Sequence, residues 1–195
     1  MTVTALDPTT ALVVIDLQNG VAAIPGEPVP TADVVKNSVA LAEGFRARNL
    51  PVVLVRVTFA EDGADMMPGR TEQARPARPR PEGWDRIIAD LAGHPGDLLV
   101  TKRNWSAFYG TDLDLHLRRR GVTQIVLTGI ATSIGVESTA RAAHEHGYHV
   151  TVATDAVTDS SADAHANSVE RIFPRLGETG TTAEILALLP SEAAV

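Results

Sequence analysis

The most constraining feature of this 195-residue chain is the alternation of short apolar runs with longer amphipathic stretches. Runs dominated by valine, isoleucine and leucine are typical of strands that a parallel sheet buries on both faces. These runs predict five strands, in chain order at 11–16, 51–59, 97–102, 124–129 and 149–155. The amphipathic stretches predict helices at 31–48, 112–120, 133–146, 162–175 and 181–189.

Alternating strands and helices predict an α/β protein with an open parallel β-sheet flanked by helices on both faces, a three-layer, Rossmann-like arrangement. The length suits one compact domain, so we expect residues 1–195 to form it. Pro174 is expected to end the fourth helix, and GETG at 177–180 is expected to be a turn. Residues 60–82, rich in glycine, proline and arginine, are expected to form a loop or lid beside the ligand site.

Composition excludes several classes of function. A formal net charge of −7 argues against general nucleic-acid binding, which needs a basic surface. There is no cysteine, which removes thiol catalysis, disulfides and cysteine-ligated metals. No apolar run approaches the roughly 18 residues of a membrane span. Because His144, His146 and His149 do not share a helix face, no metal site is predicted. Taken together, these features lead us to expect a cytoplasmic enzyme that acts on a small molecule without a cofactor.

Polar groups follow three of the predicted strands, where a doubly wound sheet binds its ligands. Asp16 ends the first strand in VVIDLQNG, Lys102 ends the third in VTKRNWSAF, and the turn TGIATSIG follows the fourth. A charge that follows an apolar strand is expensive to bury unless it is paired or functional. If the strands are neighbours, Asp16 and Lys102 converge on the turn, and a coupled Asp–Lys pair suits proton transfer.

In order and spacing, VVIDLQNG, VTKRNWSAF and TGIATSIGVESTARAA resemble the three signature segments of the isochorismatase-like hydrolases, and the resemblance covers most of the chain. It implies a parallel sheet flanked by helices and a catalytic Asp–Lys–Cys set. Asp16 and Lys102 match the first two members, and Gly135 stands in the place of the cysteine. The resemblance also implies a non-proline cis peptide bond between Ile130 and Ala131, which would orient backbone N–H groups as an anion hole.

The glycine selects among the reactions of that family. Amide hydrolysis through a thioester is closed, because Gly135 has no side chain that can attack. Cleavage of a vinyl ether needs no nucleophilic side chain: Asp16 would protonate the enol-ether carbon, Lys102 would hold Asp16, and Gly135 would leave space for water or substrate. We therefore predict general-acid hydrolysis of a small anionic vinyl ether such as isochorismate, giving pyruvate, in preference to C–N hydrolysis.

An anionic substrate calls for cations. Five arginines lie between positions 70 and 86, and a guanidinium binds carboxylates through a planar fork, so Arg70 is a candidate. The other residues that we expect to contact the substrate lie in or beside the signature segments: Gln18, Trp105, Phe108, Ile130 and Ala131.

Two alternatives stay open. ATSIG at 131–135 resembles a nucleophile elbow that lacks its first glycine, with Ser133 as nucleophile and Asp155 and His165 in the chain order of a triad. Loss of the nucleophile also fits a catalytically inactive member that binds a partner or serves as a scaffold. For the enzyme we expect a homodimer or homotetramer.

Overall fold

A computed structural model describes residues 2–66, 69–72 and 80–190. Its sheet has six strands: β1 (Thr10–Ile15), β2 (Val52–Val57), β3 (Leu98–Lys102), β4 (Gln124–Ile130), β5 (His149–Thr158) and β6 (Glu178–Gly180). The order across the sheet is β3-β2-β1-β4-β5-β6, and every neighbouring pair is parallel. The chain thus starts in the middle of the sheet. β2 and β3 are added on one side of β1, and β4 to β6 are added on the other. The point between β1 and β4, where the strand order reverses, is where such sheets bind their ligands.

In the described ranges, helices follow each strand except β2, and two of them begin with a π-helical turn. The α-helices are α1 (Asn19–Ala22), α2 (Thr31–Arg46), α3 (Leu113–Arg119), α4 (Glu137–Glu145), α5 (Ala162–Asn167), α6 (Phe173–Leu176) and α7 (Thr182–Leu188). The π-helical turns, Thr132–Val136 and Ser168–Ile172, run directly into α4 and α6. None of the helices in the described ranges is long and apolar enough to cross a membrane.

The sheet is covered on both faces, as its uninterrupted apolar strands require. Successive side chains of a strand point to opposite faces, so β1 contributes Val13 to one core cluster and Leu12 to the other. The second cluster includes Leu41 and Phe45 of α2, which are fully buried. The predicted α/β fold with an open parallel sheet is therefore confirmed.

Three local expectations differ from the structure. Residues 178–180 form the edge strand β6 instead of a turn, and it pairs with β5. Three residues are too few to show the alternation of apolar and polar side chains that marks a strand. β6 is instead a strand because its backbone hydrogen-bonds to the edge of β5. Pro174 does not end its helix: it is the second residue of α6, directly after the π-helical turn Ser168–Ile172, and the helix continues to Leu176. β5 also continues to Thr158, beyond the predicted end.

A close approach of β1 and β4 positions the site. Gly129 has φ +115°, and a Cβ atom there would lie 2.0 Å from the Ile15 carbonyl oxygen, so only glycine fits. Directly after Ile15, Asp16 takes a positive φ of 52°. The first residue after β1 thus lies beside the end of β4 and the turn that follows it.

Candidate active site

A buried ion pair lies at the carboxyl ends of the strands. Asp16 follows β1, and Lys102 is the last residue of β3, two strands away. The Lys102 Nζ atom lies 2.7 Å from Asp16 Oδ2, and the two side chains are 3% and 9% exposed. Since β2 separates β1 from β3, the long lysine side chain reaches across the end of β2 to the carboxylate.

The Lys102 ammonium is held by a full set of acceptors. Besides Asp16 Oδ2, it donates to the Trp105 carbonyl at 3.0 Å and to the Asn104 carbonyl at 3.2 Å. An ammonium has three N–H bonds, so these acceptors use all of them. Lys102 is therefore a fixed positive charge beside Asp16 and has no hydrogen-bond donor left for a ligand.

Asp16 differs from its partner because one of its oxygens has no hydrogen bond. Its Oδ1 atom is buried and unpartnered within the described ranges. Burial raises the pKa of this carboxyl from 3.8 to about 6, and the attraction and hydrogen bond of Lys102 offset only part of that effect. A carboxyl with this pKa exchanges its proton near neutral pH, which suits general acid–base work.

The turn after β4 lies opposite the carboxyl. The peptide bond between Ile130 and Ala131 is cis, as the sequence resemblance implied. Gly135 lies in the π-helical turn, where a Cβ atom would be 3.4 Å from Asp16 Oδ2 and 3.0 Å from Ile15 Cγ2. A side chain at position 135 would therefore face the Asp16 carboxyl, and glycine leaves that space open.

Two buried side chains hold this turn from behind. The Asp159 Oδ2 atom accepts hydrogen bonds from the Ser133 backbone N–H and from its hydroxyl, both at 2.7 Å. Thr132 Oγ1 and His165 Nδ1 share a hydrogen bond of 3.0 Å. Burial lowers the pKa of His165, more than the nearby Asp159 raises it, which favours a neutral imidazole. The turn is thus fixed on two consecutive residues.

These elements enclose an open cavity of about 320 Å³. It is lined by Asp16, Val21, Ile24, Pro25, Gly26, Val57, Phe59, Lys102, Arg103, Asn104, Trp105, Ile130, Ala131, Ile134, Gly135, Asp159 and Ser160. Apolar walls that surround a few convergent charges are typical of a small-molecule site. No cluster of three or more histidine, aspartate or glutamate side chains in the described ranges is arranged to hold a metal ion.

The structure brings six of the nine predicted site residues to the cavity, namely Asp16, Lys102, Trp105, Ile130, Ala131 and Gly135. Gln18 is placed differently. Its side-chain amide donates to the Val57 carbonyl at 3.0 Å and accepts from the Val57 N–H at 2.8 Å. The side chain is fully buried, so Gln18 ties the segment after β1 to β2 and does not line the cavity.

Two further predictions need correction. Phe108 belongs to the core, where it is 8% exposed, stacks on His146 with ring centroids 5.1 Å apart, and contacts the tilted ring of Tyr148 at 5.8 Å. Arg70 is exposed and does not line the cavity. Of the other loop arginines, positions 75 and 78 lie outside the described residues.

Sequence reasoning missed two charged residues of the cavity, Arg103 and Asp159. Asp159 follows β5 directly, so the signal that identified Asp16 applies to it as well. It was hidden because the apolar pattern of β5 is broken by polar residues before the strand ends at Thr158. Arg103 adjoins Lys102, and nothing in the surrounding sequence distinguishes it from an arginine on the surface.

The alternative serine triad is not assembled. The Ser133 hydroxyl donates to Asp159, and His165 pairs with Thr132. Asp155 accepts instead from the backbone N–H and hydroxyl of Thr182 at 2.7 and 2.9 Å. Because each proposed member has a different partner, the Ser133–His165–Asp155 triad is not formed.

Fold and site together define a three-layer α/β protein whose candidate site lies at the carboxyl ends of parallel strands. The isochorismatase domain matches residues 10–184, so the chain belongs to the isochorismatase family, a family of hydrolases. The isochorismatase family protein YecD of Escherichia coli O157:H7 is 46% identical over 93% of this chain and 96% of its own length.

A solved structure agrees closely with the fold. That of an isochorismatase family protein from Burkholderia thailandensis has a TM-score of 0.91 and 48% identity, over 95% of this chain and 97% of its own. A more distant relative, the ureidoacrylate amidohydrolase RutB of Pseudomonas savastanoi pv. phaseolicola, is 32% identical over 79% of this chain and 72% of its own length. An amidohydrolase hydrolyses a C–N bond, so that relative is named for this reaction.

Proposed function

We propose that this protein hydrolyses a small anionic enol ether, with Asp16 as the general acid. The observation that carries the proposal is the Asp16 carboxyl, which is buried and has a pKa of about 6 and an unpartnered Oδ1 atom beside the cavity. Opposite it, Gly135 supplies space where a nucleophilic side chain would stand. The site therefore contains a proton donor and no thiol.

The reaction needs one proton and one water molecule. Protonated Asp16 gives its proton to the terminal carbon of the enol ether, and the carbon that bears the ether oxygen becomes an oxocarbenium ion. Water adds to that carbon and returns a proton to the Asp16 carboxylate. The hemiketal then breaks its C–O bond, with transfer of its hydroxyl proton to the leaving oxygen. The products are a ketone, which is pyruvate for a carboxyvinyl ether, and an alcohol.

Lys102 and the turn after β4 support these steps. Lys102 stabilises the carboxylate that remains after proton transfer, because its ammonium contacts the same side chain at 2.7 Å. The fixed turn presents Ala131 and Gly135 to the cavity at the start of a helix, where backbone N–H groups lack intrahelical partners. Such groups attract the negative charge of a carboxylated substrate.

Two competing functions receive less support. Amide hydrolysis, which the name of RutB indicates for that relative, has no thiol route in this chain because it contains no cysteine. An inactive scaffold would have no need of an accessible acid, whereas the cavity beside Asp16 is open and about 320 Å³ in volume. Both observations favour an enzyme that relies on proton transfer.

The deciding experiment is an assay of the purified protein with isochorismate, in which pyruvate is measured. We expect pyruvate release, with kcat/KM falling about tenfold per pH unit above pH 6, because only the protonated carboxyl donates. A parallel assay with ureidoacrylate, in which ammonia is measured, tests C–N hydrolysis. Ammonia release without pyruvate would overturn the proposal in favour of an amidohydrolase, and no turnover of either compound would favour a binding protein.

A further inference from the structure

Among the described residues, two cations line the cavity, Lys102 and Arg103, and of these two Arg103 has hydrogen-bond donors left for a ligand. The ammonium of Lys102 is used completely by Asp16 and two carbonyl groups. Arg103 also lines the cavity, and its guanidinium carries five N–H donors. Arg103 is therefore the candidate to bind an anionic substrate.

The contacts of Arg103 fix the group and leave one edge open. Its Nε atom donates to Asp65 Oδ2 at 2.5 Å, and Nη1 contacts the Lys102 carbonyl at 3.5 Å. Nη2 donates no hydrogen bond to any residue in the described ranges, and the side chain is 40% exposed. Asp65 thus orients the guanidinium through Nε, and within the described ranges the end that bears Nη1 and Nη2 keeps N–H donors without a partner. Arg103 lies between this cavity and a neighbouring one that Asp65 also lines.

The charge of the cavity also depends on Arg103. Asp159 contributes a negative charge, and its oxygens accept hydrogen bonds from Ser133 and Ser160, both neutral. With Asp16 protonated, the charge of Lys102 is balanced by that of Asp159, so Arg103 supplies the remaining attraction for an anion. Asp65 opposes this attraction with one negative charge, so Arg103 acts on an anion through its N–H donors at close range.

We propose that Arg103 is the specificity-determining residue that binds the carboxylate of the substrate through the Nη edge of its guanidinium. The inference rests on the proposed function, because it assigns the recognition of the anionic substrate named there. A planar guanidinium and a carboxylate form two parallel hydrogen bonds, so the residue selects a carboxylate over a neutral amide of the same shape. Arg103 thereby takes the role that the sequence suggested for Arg70.

The test is a binding measurement that needs no turnover. Benzoate and benzamide serve as probes, since they have nearly the same shape and differ in charge, and their affinities are measured by calorimetry at about pH 5.5, where most Asp16 is protonated. We expect Arg103→Gln to weaken benzoate binding by about tenfold or more and to leave benzamide binding unchanged. Arg103→Lys keeps the charge but not the fork, so it is expected to have an intermediate effect.

Two further variants locate the effect. Arg119→Gln removes one exposed positive charge from α3 and is expected to leave both affinities unchanged. Arg70→Gln tests the other candidate, and loss of benzoate binding in that variant alone would assign the role to Arg70. Thermal unfolding of each variant shows whether it folds like the wild type.

The outcomes separate this inference from the proposed function. Equal benzoate affinity in the wild type and in Arg103→Gln, or no saturable benzoate binding to either, overturns the inference even if isochorismate is hydrolysed. Arg103-dependent benzoate binding in a protein that releases no pyruvate supports the carboxylate site and overturns the enol-ether reaction.

Discussion

An ion pair with a buried carboxylate side chain lies at each end of β3, and the two pairs differ in how their carboxylates are bonded. At its amino end, Asp97 accepts from Arg46 on both oxygens, from Nε at 3.2 Å and from Nη2 at 2.5 Å. At its carboxyl end, Lys102 contacts only one oxygen of Asp16. The carboxylate side chains are similarly buried, 6% exposed for Asp97 and 9% for Asp16.

Burial and an opposite charge are therefore insufficient to identify an acid. Both pairs border a cavity, but the fork of Arg46 satisfies Asp97, and His94 adds a third contact at 3.2 Å. Asp16 keeps one oxygen without a hydrogen bond and has its pKa raised to about 6. A fully bonded carboxylate stabilises the fold, whereas a half-bonded one beside a cavity can exchange a proton.

The largest expected effect is that of Asp16→Asn on turnover. The substitution keeps the shape of the side chain and removes its acidic proton, so pyruvate release should fall by about 100- to 10,000-fold. Steady-state kinetics measure the loss, and circular dichroism checks that the variant folds. Turnover close to that of the wild type would show that Asp16 is not the acid. The Asp16–Lys102 and Asp97–Arg46 pairs would then no longer differ in function.

The second prediction concerns pH and stability. In the unfolded chain Asp16 loses its proton near pKa 3.8, and in the folded protein near 6, so the folded state binds more protons between these values. The stabilising effect of the protonated group is full below pH 3.8 and is lost as pH rises through 6. By about pH 8 the loss amounts to about 3 kcal/mol.

Urea unfolding of the wild type and of Asp16→Asn across this pH range measures that loss. The difference between their free energies of unfolding isolates the group, because all other titrations are shared by the two proteins. We expect the wild type to lose stability relative to the variant as pH rises. Two parallel curves would show that burial does not raise the pKa of Asp16.

The third prediction breaks the other pair. Asp97→Asn leaves the Arg46 guanidinium, which is partly buried, with a neutral partner, and this should lower the free energy of unfolding by about 1–3 kcal/mol. Turnover should stay close to that of the wild type, because the pair lies at the opposite end of the strand. Asp90→Asn, at an exposed position, is the matched control and should change neither quantity. A large loss of turnover in Asp97→Asn would contradict a purely structural role.

Features of the fold and the site could be predicted from the sequence where they depend on local patterns, and not where they depend on contacts between residues far apart in the chain. Apolar runs located β1 to β5, and the rule that ligands bind at strand ends located Asp16 and Lys102. The partners of Gln18 and Phe108 were beyond reach, because Val57 and Tyr148 lie about 40 residues away along the chain and meet them only after folding. Gly135 was informative because what matters at that position is the absence of a side chain.

The choice among cations shows the same limit. Arg70 was selected from a cluster of arginines, whereas Arg103 stands at the cavity because it follows Lys102 at the end of β3. Composition shows how many cations a segment has, but only the structure shows which of them have donors left. For Lys102 the answer depends on two backbone carbonyls, at positions 104 and 105, that no side-chain pattern reveals.

The smallest expected effect is that of Ser133→Ala, and it sharpens the comparison by adding a third buried carboxylate, Asp159. The substitution removes the hydroxyl bond to Asp159 Oδ2 but keeps the backbone N–H bond to the same atom, also at 2.7 Å. We expect the free energy of unfolding to fall by about 1 kcal/mol and turnover to fall by less than about tenfold, since the turn keeps its main anchor. Urea unfolding and the pyruvate assay measure the two effects. Complete loss of turnover here, with activity retained in Asp16→Asn, would make Ser133 the reacting group and Asp16 a structural residue like Asp97.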